Sequence, residues 1–99
     1  MTTDQLHKTL NESPSLSGYE AVLKRYLIDQ VARYDGGQDM PQDIAYEMAG
    51  LMSAEALFRT PNDNPYKEIL SLAGELELPD AHHGGASWSQ LKSLVRKLP

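Results

Sequence analysis

Apolar residues recur along the chain at intervals of three and four, the spacing that gathers side chains on one face of an α-helix. No stretch alternates apolar and polar positions with period two for long enough to form a strand. In the segment that follows Gly18, the residues sharing one apolar face are Tyr19, Val22, Leu23, Tyr26, Leu27, Val31 and Tyr34. The pattern therefore predicts an all-α protein.

Capping and turn residues divide this pattern into segments. A hydroxyl residue followed three positions later by Glu or Gln is typical of a helix N-terminus, because each residue can satisfy a free amide of the other. This pairing occurs at Thr2–Gln5, Ser17–Glu20 and Ser87–Gln90. Proline suits a first helical turn, as at Pro41 and at Pro65, where Asn64 precedes the proline as the expected N-cap. These signals mark five helix starts.

Glycine and proline also mark the helix ends. Gly36-Gly37 supplies a left-handed stop, and Thr60 resists helical backbone because it precedes Pro61. Helices are predicted at residues 3–10, 18–35, 41–59, 65–76 and 88–98. We expect a single domain over residues 1–99, built as a compact four-helix domain with an additional short N-terminal helix.

The amino-acid composition narrows the class of protein. The chain has 99 residues, 40% of them hydrophobic, which suits one globular domain. It has no cysteine, so disulfides and thiolate metal sites are excluded. No apolar run approaches the roughly 18 residues of a membrane-spanning helix. Because the N-terminus also lacks the apolar core of a secretory signal, we expect a cytoplasmic protein that binds no membrane.

Charge is distributed unevenly along the chain. The net charge is −5, yet residues 38–80 hold nine acids against two bases, and residues 81–99 hold three bases and no acid. An acidic centre repels a phosphate backbone, so a nucleic-acid partner is not expected. The same charge favours a basic protein partner.

Motifs of catalysis and cofactor binding are not found in the sequence. It contains no His-Glu-x-x-His and no Gly-x-Ser-x-Gly, the patterns of zinc peptidases and of serine hydrolases. Gly36-Gly37 is followed by Gln38 and Asp39, without the lysine of a phosphate-binding loop. We therefore predict a non-catalytic protein without a cofactor.

The third predicted helix carries the candidate partner surface. Its main apolar stripe contains Ile44, Met48, Leu51, Met52 and Phe58. Nearly opposite this stripe, or close to that side, lie Asp43, Tyr46, Glu47 and Leu57. Tyrosine and leucine among acids are typical of a protein interface. The alternative is that another helix of the domain covers Tyr46 and Leu57. The hypothesis is a regulator, an adaptor or an immunity-type inhibitor of a basic protein, or a homodimer sealed through this helix.

The loop after residue 79 supports an alternative function. Asp80, His82 and His83 lie together there, and imidazole and carboxylate groups bind zinc, copper or nickel. These three residues are weak candidates for a metal-binding or metal-sensing site. A third possibility is a non-catalytic helical part of a multi-protein enzyme.

The helix positions of Glu55, Gly74 and Lys92 predict what surrounds each residue. Glu55 falls on the apolar stripe of the third helix, so it either pairs with Arg59 at the rim or is a buried acid. Gly74 lies inside a predicted helix, which indicates close approach to a neighbour or an early end. The last helix is amphipathic and has basic residues such as Lys92, so we expect it to dock on the acidic domain.

Overall fold

The structure of the chain is a computed structural model that describes residues 2–78 and 85–99. These residues form helices and no strand, which confirms the predicted all-α class. In chain order, the elements are α1 (Thr3–Asn11), α2 (Glu20–Gly36), α3 (Pro41–Gly50), a 3₁₀ turn (Leu51–Ser53), α4 (Glu55–Phe58), α5 (Pro65–Leu76) and α6 (Trp88–Arg96).

The caps of α1 and α5 form as predicted, whereas at α6 only the Ser87 half of the predicted reciprocal pair is present. The Thr2 hydroxyl accepts a hydrogen bond from the Gln5 amide, and the Gln5 side chain accepts one from the Thr2 amide at 3.0 Å. Asn64 caps α5 by accepting from the Tyr66 amide at 2.9 Å. Ser87 caps α6 in the same way. Each bond satisfies an amide that has no partner within its own helix.

The start of α2 differs from the prediction. The helix begins at Glu20, and Ser17 makes no side-chain cap. Gly18 has a φ of 87°, in the left-handed region that interrupts a helix and favours glycine. The Glu20 carboxylate instead accepts a hydrogen bond from the Gly18 amide at 3.0 Å. The turn is anchored by Leu16, which is buried.

The third predicted helix is interrupted. α3 ends at Gly50, a 3₁₀ turn follows, and Ala54 adopts extended backbone before α4 begins. Side chains of α1 hold this interruption. The Asn11 side chain accepts a hydrogen bond from the Glu55 amide at 3.1 Å, in the role of a cap for α4. His7 is hydrogen-bonded to the Ser53 hydroxyl at 2.8 Å.

Because of this interruption, the predicted burial of two side chains is wrong. Leu57 was expected on the outer face and is fully buried, whereas Phe58 was expected in the core and is 75% exposed. If the helix were unbroken, Phe58 would lie on the apolar stripe of α3 and Leu57 would lie nearly opposite it. The extended backbone at Ala54 resets that register, so the neighbouring residues exchange environments.

Every helix contributes to the core, and α3 and α5 make the most extensive helix contact within it. A Cβ atom placed on Gly74 would lie 4.0 Å from the Cβ of Ala49, so small residues let the two backbones approach. α5 continues past Gly74 to Leu76. A methyl group at position 74 would fit at ordinary contact distance, so close approach does not require this glycine. The early helix end is wrong.

The last helix packs its apolar stripe on the domain. Leu91 and Val95 are buried, and α6 contacts α5 and α2. The Lys92 ammonium pairs with Asp35 at 2.8 Å. Its acidic partner lies on α2, outside the acidic central segment. Among the described helices, none is long and apolar enough to cross a membrane.

Candidate functional site

Three of the four predicted partner-binding residues lie together on α3. Tyr46 is 70% exposed, Asp43 is exposed one turn before it, and Glu47 is half-buried beside it. The spacing of three and four residues places them on one side of the helix. Leu57 is not part of this surface, because the interruption after α3 turns it into the core.

An open depression lies beside Tyr46, between α1 and α3. Its volume is about 320 Å³, and its lining residues are Thr3, Asp4, His7, Tyr46, Glu47 and Gly50. The leucines of α1 lie in the core, so the polar residues of α1 line the side of the depression opposite α3. We call this depression together with Asp43 the α1–α3 face.

Sequence reasoning missed Asp4 and His7 as members of this face. Thr3 and His7 are four residues apart and flank the buried stripe of Leu6 and Leu10. That spacing indicates that they share a side of α1. It does not say which other helix lies opposite them, because that depends on how α1 packs.

Glu47 is fixed at the edge of the depression by hydrogen bonds to both carboxylate oxygens. The Thr3 hydroxyl donates to Oε1 at 3.3 Å, and Arg33 Nη1 donates to Oε2 at 2.8 Å. The hydroxyls of Thr3 and Tyr26 share a further hydrogen bond of 2.9 Å. Residues from α1, α2 and α3 are thereby tied into one polar network.

Arg33 is the centre of this network. Besides Glu47, its guanidinium donates to the buried Gln30 side chain at 2.8 Å and to Asp39 at 3.0 Å. The hydrogen bond to Glu47 raises the pKa of Arg33, and that to Asp39 adds to it, whereas burial lowers it. The guanidinium thus stays charged and neutralises part of the acidity around Glu47.

Tyr26 lies beneath the network. Burial raises the pKa of Tyr26, and the hydrogen bond between Tyr26 and Thr3 opposes that shift. The phenol is therefore neutral at physiological pH, which suits a hydroxyl that bonds to another hydroxyl in the interior. Tyr26 supports the position of Thr3, and hence that of Glu47.

The outer part of the face retains unneutralised charge. Neither Asp4 nor Asp43 forms an ion pair with another described residue. The Tyr46 ring stands beside them and is largely exposed. Carboxylates bind guanidinium and ammonium groups through charge-assisted hydrogen bonds, and an aromatic face attracts the same cations. Such a surface is suited to a lysine or arginine side chain.

The residues of this face do not form a metal centre. Within residues 2–78 and 85–99, no three His, Asp or Glu side chains are placed to hold a metal ion together. The weak metal candidates from the sequence, Asp80, His82 and His83, lie outside the described residues. Metal binding at that loop stays a prediction.

Glu55 is paired at the surface. Arg59, one turn later, donates to its carboxylate at 2.5 Å, and the Glu55 side chain is 42% exposed. The rim pair expected from the spacing of four is confirmed. The alternative of a buried acid on the apolar stripe is wrong.

No protein-family model, curated protein or solved structure matches this chain. Its function is therefore inferred from the side chains of the described residues.

Proposed function

We propose that the protein is a small, non-catalytic protein-binding module that uses the α1–α3 face. The observation that carries the proposal is Tyr46, an aromatic side chain that is 70% exposed. It lies beside Asp4 and Asp43, two carboxylates that form no ion pair with any other residue of the described ranges. Tyrosine is enriched at protein interfaces, because it buries a large ring and keeps a polar end for hydrogen bonding.

The partner would be a protein that presents lysine or arginine. A basic side chain entering the depression would meet the carboxylates of Asp4 and Glu47 and the ring of Tyr46. Because Glu47 is already bound to Arg33, Asp4 and Asp43 supply most of the attraction. The net charge of −5 would also speed the encounter with a basic protein. A regulator, an adaptor or an immunity-type inhibitor would use such a surface.

A binding role suits the side chains better than proton transfer does. His7 Nε2 is engaged by Ser53, and both oxygens of Glu47 accept hydrogen bonds. These hydrogen bonds hold the side chains of His7 and Glu47 in fixed orientations at the edge of the depression. The proposal includes no cofactor and places the protein in the cytoplasm, which accords with a sequence without cysteine.

Affinity capture with matched variants tests the proposal. The tagged wild-type chain, Tyr46→Ala and Phe58→Ala are used to capture proteins from a lysate of the source cell, and bound proteins are quantified by mass spectrometry. Phe58 is the control because it is an aromatic residue of similar exposure on another helix. We expect one basic protein in stoichiometric amount, lost with Tyr46→Ala and kept with Phe58→Ala.

The charge requirement is tested on the captured protein. Asp4→Asn combined with Asp43→Asn should weaken binding about tenfold or more, through the loss of two charge-assisted contacts. Binding should also weaken as salt concentration rises. A wild-type chain that captures no stoichiometric partner, or one that Tyr46→Ala still binds fully, would contradict the proposal.

A further inference from the structure

The outward face of α2 is left uncovered by the rest of the described chain. Val22 and Ile28 are each 39% exposed on it. The exposed positions Val22, Arg25, Asp29 and Ala32 follow the spacing three, four, three. This spacing places the four residues along one side of α2, with Ile28 beside them, and we call this row the α2 seam.

Charge along this seam is arranged with opposite signs about its midpoint. Arg25 and Asp29 each lie two residues from Leu27, and Val22 and Ala32 each lie five residues from it. Leu27 itself is buried on the inner side of α2. If a second α2 helix ran antiparallel on the exposed side, with a two-fold axis level with Leu27 along the helix, Arg25 would face Asp29 of the second copy. Val22 would face Ala32 of that copy, and every contact would occur twice.

We propose that a second copy of this chain packs on this face, with the two α2 helices antiparallel. The orientation follows from the charges. A parallel pair in register would set Arg25 against Arg25 and Asp29 against Asp29, and like charges at a seam oppose pairing. The antiparallel pair sets opposite charges together at both places.

Depressions on the two sides of α2 fit this arrangement. One, of about 330 Å³, is lined by residues that include Leu6, Val22 and Tyr26. The other, of about 530 Å³, has Ile28 and Tyr66 among its lining residues. A helix ridge between two grooves is the shape that packs against a copy of itself, because the ridge of each helix can enter a groove of the other.

The dimer is expected to be weak and concentration-dependent. One helix from each copy supplies most of the contact, and a charged pair rather than an apolar pair occupies its centre. Arg25 and Asp29 already form a solvent-exposed ion pair within the helix, at 3.4 Å. Charged groups at a seam reduce stability and determine orientation. The face is separate from Tyr46, so this inference does not depend on the proposed function.

Charge reversal in single and mixed samples tests the dimer. Molecular mass is measured by sedimentation between about 10 µM and about 1 mM, the range of weak interfaces. We expect the wild type to dimerise within it. Arg25→Glu and Asp29→Arg should each weaken association about tenfold or more, because like charges then meet twice.

Mixing the two variants gives the decisive measurement. In a heterodimer, the Glu at position 25 would meet the Arg at position 29, and the native Asp29 would meet the native Arg25. An equimolar mixture should therefore recover wild-type association, and so should the chain that carries both reversals. A misfolded variant could not produce this recovery, and circular dichroism checks that each variant is helical.

Any one of four outcomes would overturn the inference. The wild type could remain monomeric at about 1 mM, the single reversals could associate as the wild type does, or the mixture could fail to recover. Tyr46→Ala is expected to dimerise normally. If it instead abolished the dimer, the contact would lie on α3, and α2 would not be the interface.

Discussion

The ring of Tyr34 stacks on the indole of Trp88, with centroids 4.2 Å apart and planes inclined by 15°. The contact joins the C-terminal half of α2 to the first residue of α6. Lys92, one turn into α6, lies 5.7 Å from the centre of the same tyrosine ring and pairs with Asp35. α6 is thus held to α2 by aromatic and charged contacts at one end.

Tyr34→Ala should loosen this end of α6. We expect the free energy of unfolding to fall by about 1 to 3 kcal/mol, from the lost stacking and buried area. Trp88 should become more exposed, so its fluorescence emission should shift to longer wavelength. Tyr46→Ala removes an exposed tyrosine and is the control. An unchanged Trp88 spectrum in Tyr34→Ala would contradict the stacked contact.

Arg33 and Arg25 lie on the same helix and should differ in their effect on stability. Arg33→Ala removes hydrogen bonds to three side chains and leaves the buried Gln30 oxygen without its donor. We expect a loss of about 2 kcal/mol. Arg25→Ala removes one exposed ion pair and should cost at most about 0.5 kcal/mol.

Urea unfolding of the two arginine variants measures this difference. It should be done at protein concentrations where the chain is monomeric, so that association does not contribute. Equal losses in the two variants would show that the Arg33 network does not stabilise the fold.

Leu57→Ala and Phe58→Ala test the interruption between α3 and α4. Leu57 is fully buried, so its truncation should cost about 2 to 5 kcal/mol. Phe58 is mostly exposed, so its truncation should change stability by about 0.5 kcal/mol or less. Thermal unfolding followed by circular dichroism measures both. The reverse ranking would indicate a continuous helix.

Gly74→Ala should stabilise the protein by about 0.5 to 1 kcal/mol. The new methyl group would meet Ala49 at ordinary contact distance, and alanine favours the helix more than glycine does. Gly37→Ala is the control with the opposite sign, because Gly37 has a φ of 69° at the end of α2. Chemical unfolding gives both values, and a loss of stability in Gly74→Ala would show that α3 and α5 pack more tightly than this distance allows.

Tyr26 should make stability depend on alkaline pH. Burial raises its pKa above the ordinary value of about 10, so the folded state holds the phenol proton more tightly than the unfolded state does. Its contribution is complete below about pH 10 and decreases as pH rises through the folded pKa. Tyr26→Phe cannot ionise, so its stability should fall less steeply above about pH 10.

At neutral pH the same variant should be less stable. Tyr26→Phe loses the hydrogen bond to Thr3, at a cost of about 1 kcal/mol. Tyr46→Phe removes an exposed hydroxyl and should leave stability at pH 7 unchanged. Unfolding by guanidinium at a series of pH values compares the variants, and identical alkaline slopes for wild type and Tyr26→Phe would contradict the assignment.

Local signals in the sequence determined the helical class and most helix boundaries. Apolar spacing, the caps at Thr2, Asn64 and Ser87 and the stop at Gly37 each act within a few residues. Such short-range hydrogen bonds and backbone preferences can be deduced from neighbouring residues alone. The same helical spacing places Asp43 and Tyr46 opposite the apolar stripe, but it does not say whether another helix covers Tyr46.

The tertiary structure alone decided where the third predicted helix is interrupted. Nothing between residues 50 and 58 forbids a helix, but Asn11 of α1 binds the Glu55 amide across 44 residues of chain. This distant hydrogen bond accompanies the extended backbone at Ala54, which moves Leu57 into the core and Phe58 out of it. The α1–α3 face has the same origin, because Asp4 and His7 meet Tyr46 only after α1 has packed against α3.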